Sequence, residues 1–192
     1  MDYNLIWDNN NNDNSIVWLD YTNARATWTV QMSWAAGLES ALAYNLDPRY
    51  NIAWDDMAWR LPSTVDDPAS AGYDITTSEM GHLYYIELGN QAGGKLNNTG
   101  DFHNLVLDMY WSRTYCEANT NNAWYFDFLD GGFQFTISKS YGNIGSGTGI
   151  SGIAVRSGHV SVVPVPGAIW LLGSGFVGLA AFGKRRKGCS LQ

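Results

Sequence analysis

Two aspartate doublets, Asp55-Asp56 and Asp66-Asp67, are the first residues in this sequence that could do chemistry. Glycoside hydrolysis uses a pair of carboxyl groups that flank the scissile bond. Adjacent residues in an extended segment point to opposite faces, so neither doublet forms an acid/base pair by itself. We therefore expect solvated acids in loops, and a glycan-acting hydrolase that uses loop carboxylates remains the alternative.

Two further patterns could bind a metal ion. Glu79 and His82 stand three residues apart, a spacing that places both on one side of a helix, although a surface or capping pair is favoured. The run Asp8 to Asn14 is rich in possible calcium ligands, but it lacks the Gly and the distal Glu of an EF-hand loop. Because Asn and Asp also accumulate in turns, we favour a turn over a calcium site. No metal or cofactor is expected.

Nucleophilic and phosphate-binding motifs are missing from the sequence. It has no G-x-S-x-G nucleophile elbow, and the Gly-rich stretch 142–152 is followed by neither a helix nor a Lys. Cys116 and Cys189 lie on opposite sides of an apolar run, so no disulfide framework is expected and Cys116 is predicted to be a single thiol. The prediction is a protein that is not an enzyme.

The charge distribution divides the chain. The net charge is −7, but residues 1–163 carry seven basic and eighteen acidic side chains, a net charge of −11. The remaining four basic residues are Lys184, Arg185, Arg186 and Lys187. Phosphate backbones would repel so acidic a domain, which excludes nucleic acid as a partner.

The C-terminal segment has the composition of a membrane anchor. Eighteen residues, Val165 to Phe182, carry no charge, and at about 1.5 Å per residue they span roughly the ~30 Å hydrocarbon core of a bilayer. The basic cluster that follows should stay on the cytoplasmic side, which leaves the acidic domain outside. A buried C-terminal helix is the alternative.

The proline-containing segment before the anchor carries a resemblance. Val163-Pro164-Val165-Pro166-Gly167, the apolar run and the basic cluster together resemble the PEP-CTERM sorting tails in their VPLPA variant. The sequence departs from that variant at Val165, where Leu or Glu is usual, and at Gly167, where Ala is usual. The resemblance implies processing by an exosortase, a membrane cysteine transpeptidase of exopolysaccharide-producing Gram-negative bacteria. The domain would be periplasmic before sorting and then lie on the outer surface or in the extracellular matrix.

The start of the chain bears on the same expectation. Export requires a signal peptide, and "MDYNLIWDNN" has neither a basic nor an apolar signal region. We favour a start that is placed too late or trimmed, with a signal peptide upstream of Met1; a mature form and a cytosolic, tail-anchored protein are the alternatives. The predicted organisation is a domain over residues 1–160 and a sorting tail over residues 161–192.

Hydrophobic patterns predict an α+β domain with a mainly antiparallel sheet assembled from both ends of the chain. The predicted helices are Thr29–Tyr44, with Met32, Ala35, Ala36, Leu38 and Leu42 inward, and Ser78–Leu88, with Met80, Leu83, Tyr84 and Leu88 inward. The predicted strands are Tyr3–Trp7, Ile16–Leu19, 109–115, 151–159 and a hairpin of Ala123–Leu129 and Phe133–Ile137 around Asp130-Gly131-Gly132.

Four short motifs in this domain resemble the Lcl C-terminal domain family, named for a collagen-like adhesin. They are Trp59-Arg60-Leu61-Pro62, Tyr110-Trp111-Ser112, Ala123-Trp124-Tyr125 and Ala154-Val155-Arg156. The resemblance implies a C-type-lectin-like or formylglycine-generating-enzyme-like fold. Oxidase chemistry is not expected, because the related enzymes use two cysteines and the domain has only Cys116. The adhesin's glycosaminoglycan binding is not expected either, because it calls for a basic surface.

The aromatic content is the broadest functional indication. The chain has nine Trp and eleven Tyr, whose rings can stack on sugars while nearby Asn and Asp accept hydroxyl hydrogen bonds. For the strand tryptophans we favour a different role, in which most of them fill the core: Trp7, Trp18, Trp59, Trp111 and Trp124. Arg60 and Arg156 are expected to brace the core or to pair with buried acids. The expected partners are an exosortase, the membrane and a polysaccharide, and a structural surface or filament subunit stays open.

Overall fold

The structure is a computed structural model of the chain, and it describes residues 4–56, 58–142 and 148–164. The strands within these ranges are β1 (Asn4–Asn11), β2 (Asn14–Ala26), β3 (Tyr50–Trp54), β4 (Met109–Tyr115), β5 (Asn122–Asp127), β6 (Phe133–Ser138) and β7 (Ile150–Val162). The helices are α1 (Trp28–Ala41) and α2 (Glu79–His82), the latter continued by a π-helical turn, Leu83–Glu87.

One sheet holds all seven strands, in the order β1-β2-β7-β4-β5-β6, with β3 also paired to β7. The pairs β1–β2, β2–β7, β4–β5 and β5–β6 are antiparallel, and β4–β7 is parallel. The last strand therefore enters the middle of the sheet, between an early strand and a late one. The prediction of an α+β domain with two helices and a mainly antiparallel sheet built from both ends of the chain is confirmed.

The sheet has a hydrophobic core on each face. Along β2, Ile16 and Trp18 point to one face, and Val17 and Leu19 point to the other. The first core is closed by α2 and the π-helical turn, and the second is closed by α1 together with Trp59 and its neighbours. Because both faces are covered, the central strand is apolar at consecutive positions. Each of these fully buried aliphatic side chains contributes about 1.5–3 kcal/mol of hydrophobic stabilisation.

The Asn-rich run near the N-terminus forms a tight hairpin between β1 and β2. Asn12 and Asp13 are its two loop residues, with φ of 51° and 64°. A two-residue loop of this kind requires positive φ at both positions, and Asn and Asp tolerate it better than other non-Gly residues. The turn prediction is confirmed, but the strands are longer than predicted and include most of the run. The Asp8 side chain is buried, where it accepts hydrogen bonds from Asn11 and Trp18.

Helix α1 ends three residues earlier than predicted, at Ala41 rather than Tyr44. Ala35 and Leu38 are buried as predicted, but Ala36 is exposed, and Gln31 was missed as a buried residue. Its amide donates to the carbonyls of Ala24 (2.7 Å) and Ile150 (3.1 Å). Gln31 thus fills hydrogen-bonding positions where the β2–β7 ladder is irregular, a role that hydrophobic periodicity does not reveal.

The inward face predicted for the second helix is confirmed, but the segment is one α-helical turn followed by a π-helical turn and not a continuous α-helix. Ser78 caps α2, since its Oγ accepts a hydrogen bond from the Gly81 amide at 3.0 Å. After one α-helical turn the chain changes to i→i+5 hydrogen bonding, shown by the 2.9 Å bond from the Leu88 amide to the Leu83 carbonyl. The predicted inward residues are all buried: Met80, Leu83, Tyr84 and Leu88.

The predicted core role holds for four of the five strand tryptophans. Trp18, Trp59, Trp111 and Trp124 are buried, and each indole N–H donates a hydrogen bond within the domain. Trp7 is 44% exposed because β1 is an edge strand, and its Nε1 donates to Ser15 Oγ at 2.9 Å. The core prediction is wrong for Trp7.

The described residues divide into two compact units, one within residues 1–44 and 52–160 and the other within residues 45–51 and 161–192. The described part of the smaller unit is residues 45–51 and 161–164. There, the Arg49 guanidinium donates to both carboxylate oxygens of Asp47, and the Arg49 carbonyl accepts a 2.8 Å hydrogen bond from the Val163 amide.

Candidate functional site

One open cleft of about 530 Å³ in the larger unit is lined by residues from three sequence motifs, namely the two aspartate doublets and Trp59-Arg60-Leu61-Pro62. We call it the motif cleft. Its lining comes from the Trp59-Arg60-Leu61-Pro62 segment, the end of β4, β7 and neighbouring loops: Asp56, Arg60, Ser63, Asp66, Arg113, Thr114, Tyr115, Glu117 and Ser157. Segments that are far apart in the sequence therefore supply one polar surface.

Backbone pairing explains why Arg60 reaches the cleft while its neighbours do not. The Arg60 amide donates to the Val155 carbonyl at 3.0 Å, and the Val155 amide donates back at 2.8 Å. This short bridge gives the segment strand geometry, so Trp59 and Leu61 enter the core on the α1 side and Arg60 points the other way. The Pro62 carbonyl then accepts from the Arg113 amide (2.8 Å) and the Ser112 hydroxyl (2.9 Å), which fixes the segment against β4.

A buried ion pair lies beneath the cleft. The two terminal nitrogens of Arg60 each lie 2.7 Å from a different carboxylate oxygen of Glu79. The Ser63 amide donates to the same carboxylate at 2.7 Å. Burial lowers the pKa of Arg60, but the hydrogen bonds and charge of Glu79 outweigh it and leave that pKa above its ordinary value. The expectation that Arg60 pairs with a buried acid is correct.

Two of the four doublet carboxylates line the cleft, and both are engaged in structural contacts. Asp56 accepts a 2.6 Å hydrogen bond from the Ser157 hydroxyl, which together with the Arg60 charge lowers the pKa of Asp56 despite partial burial. Asp66 accepts from Trp124 Nε1 at 2.6 Å and from the Glu117 amide at 2.7 Å. Solvated acids were expected at all four positions: Asp55 and Asp67 are exposed, whereas Asp56 and Asp66 are partly exposed and also hydrogen-bonded within the domain.

These contacts bear on catalysis in the cleft. A general acid for glycoside hydrolysis needs a raised pKa, whereas the pKa of Asp56 is lowered. Both oxygens of Asp66 already accept hydrogen bonds from the domain itself. The geometry therefore favours a role for both carboxylates in holding loops together.

Glu79 and His82, the pair considered for metal binding in the sequence, contact other side chains of the domain. Glu79 binds Arg60, and both Glu79 and His82 are buried, so the surface interpretation of this pair was wrong. His82 Nε2 lies 3.4 Å from a carboxylate oxygen of Glu87. Over the described residues, no cluster of three or more His, Cys, Asp or Glu side chains could hold a metal ion.

The other motif residues serve the interior. Arg156 donates to Glu39 at 2.6 Å and twice to the Asp56 carbonyl, and its guanidinium lies 4.5 Å from the centre of the Trp54 ring. Of the two roles expected for Arg156, bracing the core fits this position against Trp54, because the acidic partner Glu39 is partly exposed. Cys116 is a half-buried, unpaired thiol. Apart from Tyr125, which is partly exposed, the remaining motif residues are buried: Trp59, Leu61, Pro62, Tyr110, Trp111, Ser112, Ala123, Trp124, Ala154 and Val155.

A second surface was missed at the sequence level. Five aromatic side chains lie partly exposed at the β5–β6 end of the sheet, and we call them the aromatic face: Tyr73, Tyr125, Phe133, Phe135 and Tyr141. Phe133 and Phe135 are alternate residues of β6. On the neighbouring strand β5, Phe133 lies opposite Asp127 and Phe135 lies opposite Tyr125. Alternation in "FQFTIS" predicts that the two phenylalanines share a face of the sheet. It does not show whether another element covers that face.

The predicted sorting motif is described only at its beginning. Val163 is 41% exposed and Pro164 is exposed. Val165, Pro166 and Gly167 lie outside the described residues, as do Lys184, Arg185, Arg186 and Lys187. Among the helices in the described ranges, none has the length and apolar character needed to span a membrane.

No protein-family model, curated protein or solved structure matches this chain. The sorting-tail and Lcl-domain resemblances therefore rest on the motifs quoted above. They enter the functional argument as proposals.

Proposed function

We propose that this chain is a non-enzymatic cell-envelope protein that an exosortase sorts through its C-terminal tail. Its domain, which we propose to be C-type-lectin-like and related to the Lcl C-terminal family, would then associate with extracellular polysaccharide. The tail would hold the protein in the inner membrane with the domain in the periplasm. Sorting would then release it to the outer surface or the matrix.

The position of the sorting motif relative to β7 carries this proposal. Strand β7 ends at Val162, and the Pro-x-Pro motif begins at the next residue, where Val163 and Pro164 are exposed. A processing enzyme binds an extended, accessible backbone, and Pro164 and Pro166 both favour extended conformations of the residue before them. The motif thus begins where the folded strand stops.

Charge supports the proposed orientation. The acidic residues all precede the motif, and the Lys184–Lys187 cluster follows the apolar run. Short basic segments remain on the cytoplasmic side of a membrane. The acidic domain would then lie on the exported side of the membrane. Its negative charge repels polyanionic partners.

The polar chemistry of the domain favours association over catalysis. Asp56 and Asp66 line the motif cleft and Glu79 binds Arg60 beside it, and each of these three carboxylates is bound to groups of the domain itself. Such contacts stabilise loops. They leave these carboxylates poorly placed to move protons onto a substrate.

The test is the intact mass of the protein recovered from the envelope of an exosortase-containing host. We expect the natural sequence to be shortened within the tail, and the variant with Pro164→Ala and Pro166→Ala to stay full-length in the inner membrane. Pro68→Ala is the matched control, because this proline is exposed and lies in the domain. Full-length protein for the natural sequence, or identical processing of all three, would overturn the sorting proposal.

A further inference from the structure

We propose that the aromatic face is a binding site for uncharged polysaccharide chains. The biological setting of this inference rests on the proposed function, since a matrix polysaccharide would be the ligand. The site and its ligand class are additional to that function. They are argued from the rings, the flanking polar groups and the charge of this part of the domain.

Three rings form a continuous strip along the edge of the sheet. The ring centres of Tyr73 and Phe133 are 5.1 Å apart, and those of Phe133 and Phe135 are 6.0 Å apart with planes inclined by only 24°. Tyr73 is 39% exposed and Phe135 is 48% exposed. Such a strip offers more than one ring to a ligand, which suits a polymer better than a single small molecule.

The strip lies beyond the part of the β5–β6 hairpin that α1 and the second core reach. Helix α1 begins beside the end of β6, where the Trp28 amide donates to the Lys139 carbonyl at 3.1 Å, and the second core includes the hairpin at Ala123, Tyr125 and Ile137. A surface that only completed the core would be covered by another element. Here the outer rings remain in contact with solvent.

Polar groups flank the rings in fixed positions. The Tyr73 hydroxyl donates to an Asp130 carboxylate oxygen at 3.1 Å. Asp127 accepts from the amides of Leu129 (2.8 Å) and Asp130 (2.9 Å) through one oxygen. Carboxylate oxygens beside aromatic rings suit a pyranose, whose C–H face stacks on the ring while its hydroxyl groups donate hydrogen bonds at the rim.

The charges near the face select against acidic glycans. Asp127 and Asp130 are two carboxylates beside the rings. The guanidinium of Arg25 is held by Asp108 through bonds of 2.9 and 2.7 Å, which raise its pKa, and the charges of Tyr141 and Asp127 help to raise that pKa further. With its charge paired in this way, Arg25 has little to offer a uronate or sulfate group. The net charge of −11 over residues 1–163 repels polyanions further. The ligand class is therefore a neutral polysaccharide.

Affinity electrophoresis tests the proposal. The full-length chain in mild detergent is run through native gels that contain hydroxyethylcellulose, galactomannan or pullulan as neutral probes, alginate as a polyuronate, or no polymer. We expect retardation by at least one neutral polymer and none by alginate. Phe135→Ala and Tyr73→Ala should each weaken that binding about tenfold, the effect of losing one aromatic contact worth about 1.4 kcal/mol.

Two controls separate binding from folding. Trp7→Ala removes an aromatic ring of similar exposure, 44%, from β1 at the opposite edge of the sheet and should leave retardation unchanged. Phe135→Trp keeps a stacking surface and should retain binding. Near-ultraviolet circular dichroism of each variant checks that the fold is intact.

The remaining outcomes would overturn the inference. These are no retardation by any neutral polymer, stronger retardation by alginate, or equal loss of binding in Trp7→Ala and Phe135→Ala. A dimer that becomes monomeric on Phe135→Ala in sedimentation experiments would assign the face to a second copy of the chain. Because binding is measured on the purified protein, a failure of sorting in cells leaves this result unaffected, and the reverse also holds.

Discussion

The buried pair of Arg60 and Glu79 provides the strongest quantitative prediction, for the substitution Glu79→Leu. The side chains are only 16% and 10% exposed and meet through two bonds of 2.7 Å. Removing one partner of a buried pair leaves an uncompensated charge and costs about 3–5 kcal/mol. Asp56 lies 3.7 Å from Arg60 Nε and would still partly compensate the guanidinium, so we expect a loss near the lower end, about 3 kcal/mol.

Urea unfolding of the full chain, followed by near-ultraviolet circular dichroism, measures this loss as a change in unfolding free energy. The double substitution Arg60→Met with Glu79→Leu should be less destabilising than Glu79→Leu alone, because no buried charge is then left unpaired. Asp47→Ala is the matched control, since it removes a carboxylate from an exposed pair with a similar 2.6 Å contact and should have a much smaller effect. A loss for Glu79→Leu no larger than for this control would refute the reasoning.

Two further predictions concern the turns. Asp13→Val should destabilise the β1–β2 hairpin by roughly 1–2 kcal/mol, because a β-branched side chain disfavours the observed φ of 64°. Asp13→Gly should not destabilise it, because Gly adopts positive φ readily. Thermal unfolding of both variants checks this, and equal effects would contradict it. The second concerns Asp47, whose pKa is lowered from 3.8 to about 2 by hydrogen bonds from the side chain and then the backbone of Arg49. A lowered carboxyl pKa favours the folded turn above pH 3.8, and this contribution is lost as the pH falls towards 2. Carboxyl titration by NMR should therefore find a midpoint about pH 2 in the natural chain and one closer to 3.8 in Arg49→Ala; an unchanged midpoint would contradict the assignment.

Patterns between near neighbours in the sequence predicted elements that are formed by near neighbours in the sequence. The β5–β6 hairpin and the inward face of the second helix were found because alternation and helical spacing report directly on which side chains are buried. The same patterns misplaced Ala36 and missed Gln31. The buried Gln31 amide donates both to Ala24, close in sequence, and to Ile150 on a distant strand, and this shared contact is a property of the assembled sheet.

The candidate site shows the same division. The motifs that contain Asp56, Arg60 and Asp66 were recognised one by one, but nothing in their spacing indicates that they line one cleft with Arg113 and Ser157. Their meeting depends on β7 entering the sheet beside β4 and on the Arg60–Val155 bridge. The partners of Asp56 and Asp66 were likewise hidden, because hydrogen bonds between loops depend on how the strands bring those loops together.

By itself, the sequence determined the α+β class, the acidic character of the domain, the turn in the Asn-rich run and the composition of the tail. Each of these depends on residue type or on spacing between near neighbours along the chain. Only the tertiary structure decided that Trp7 and the rings of the aromatic face stay in contact with solvent while Trp18 does not. Exposure is decided by which element covers each position of a face: the second core reaches the β5–β6 hairpin at Ala123, Tyr125 and Ile137, while Phe135 on the same hairpin stays 48% exposed.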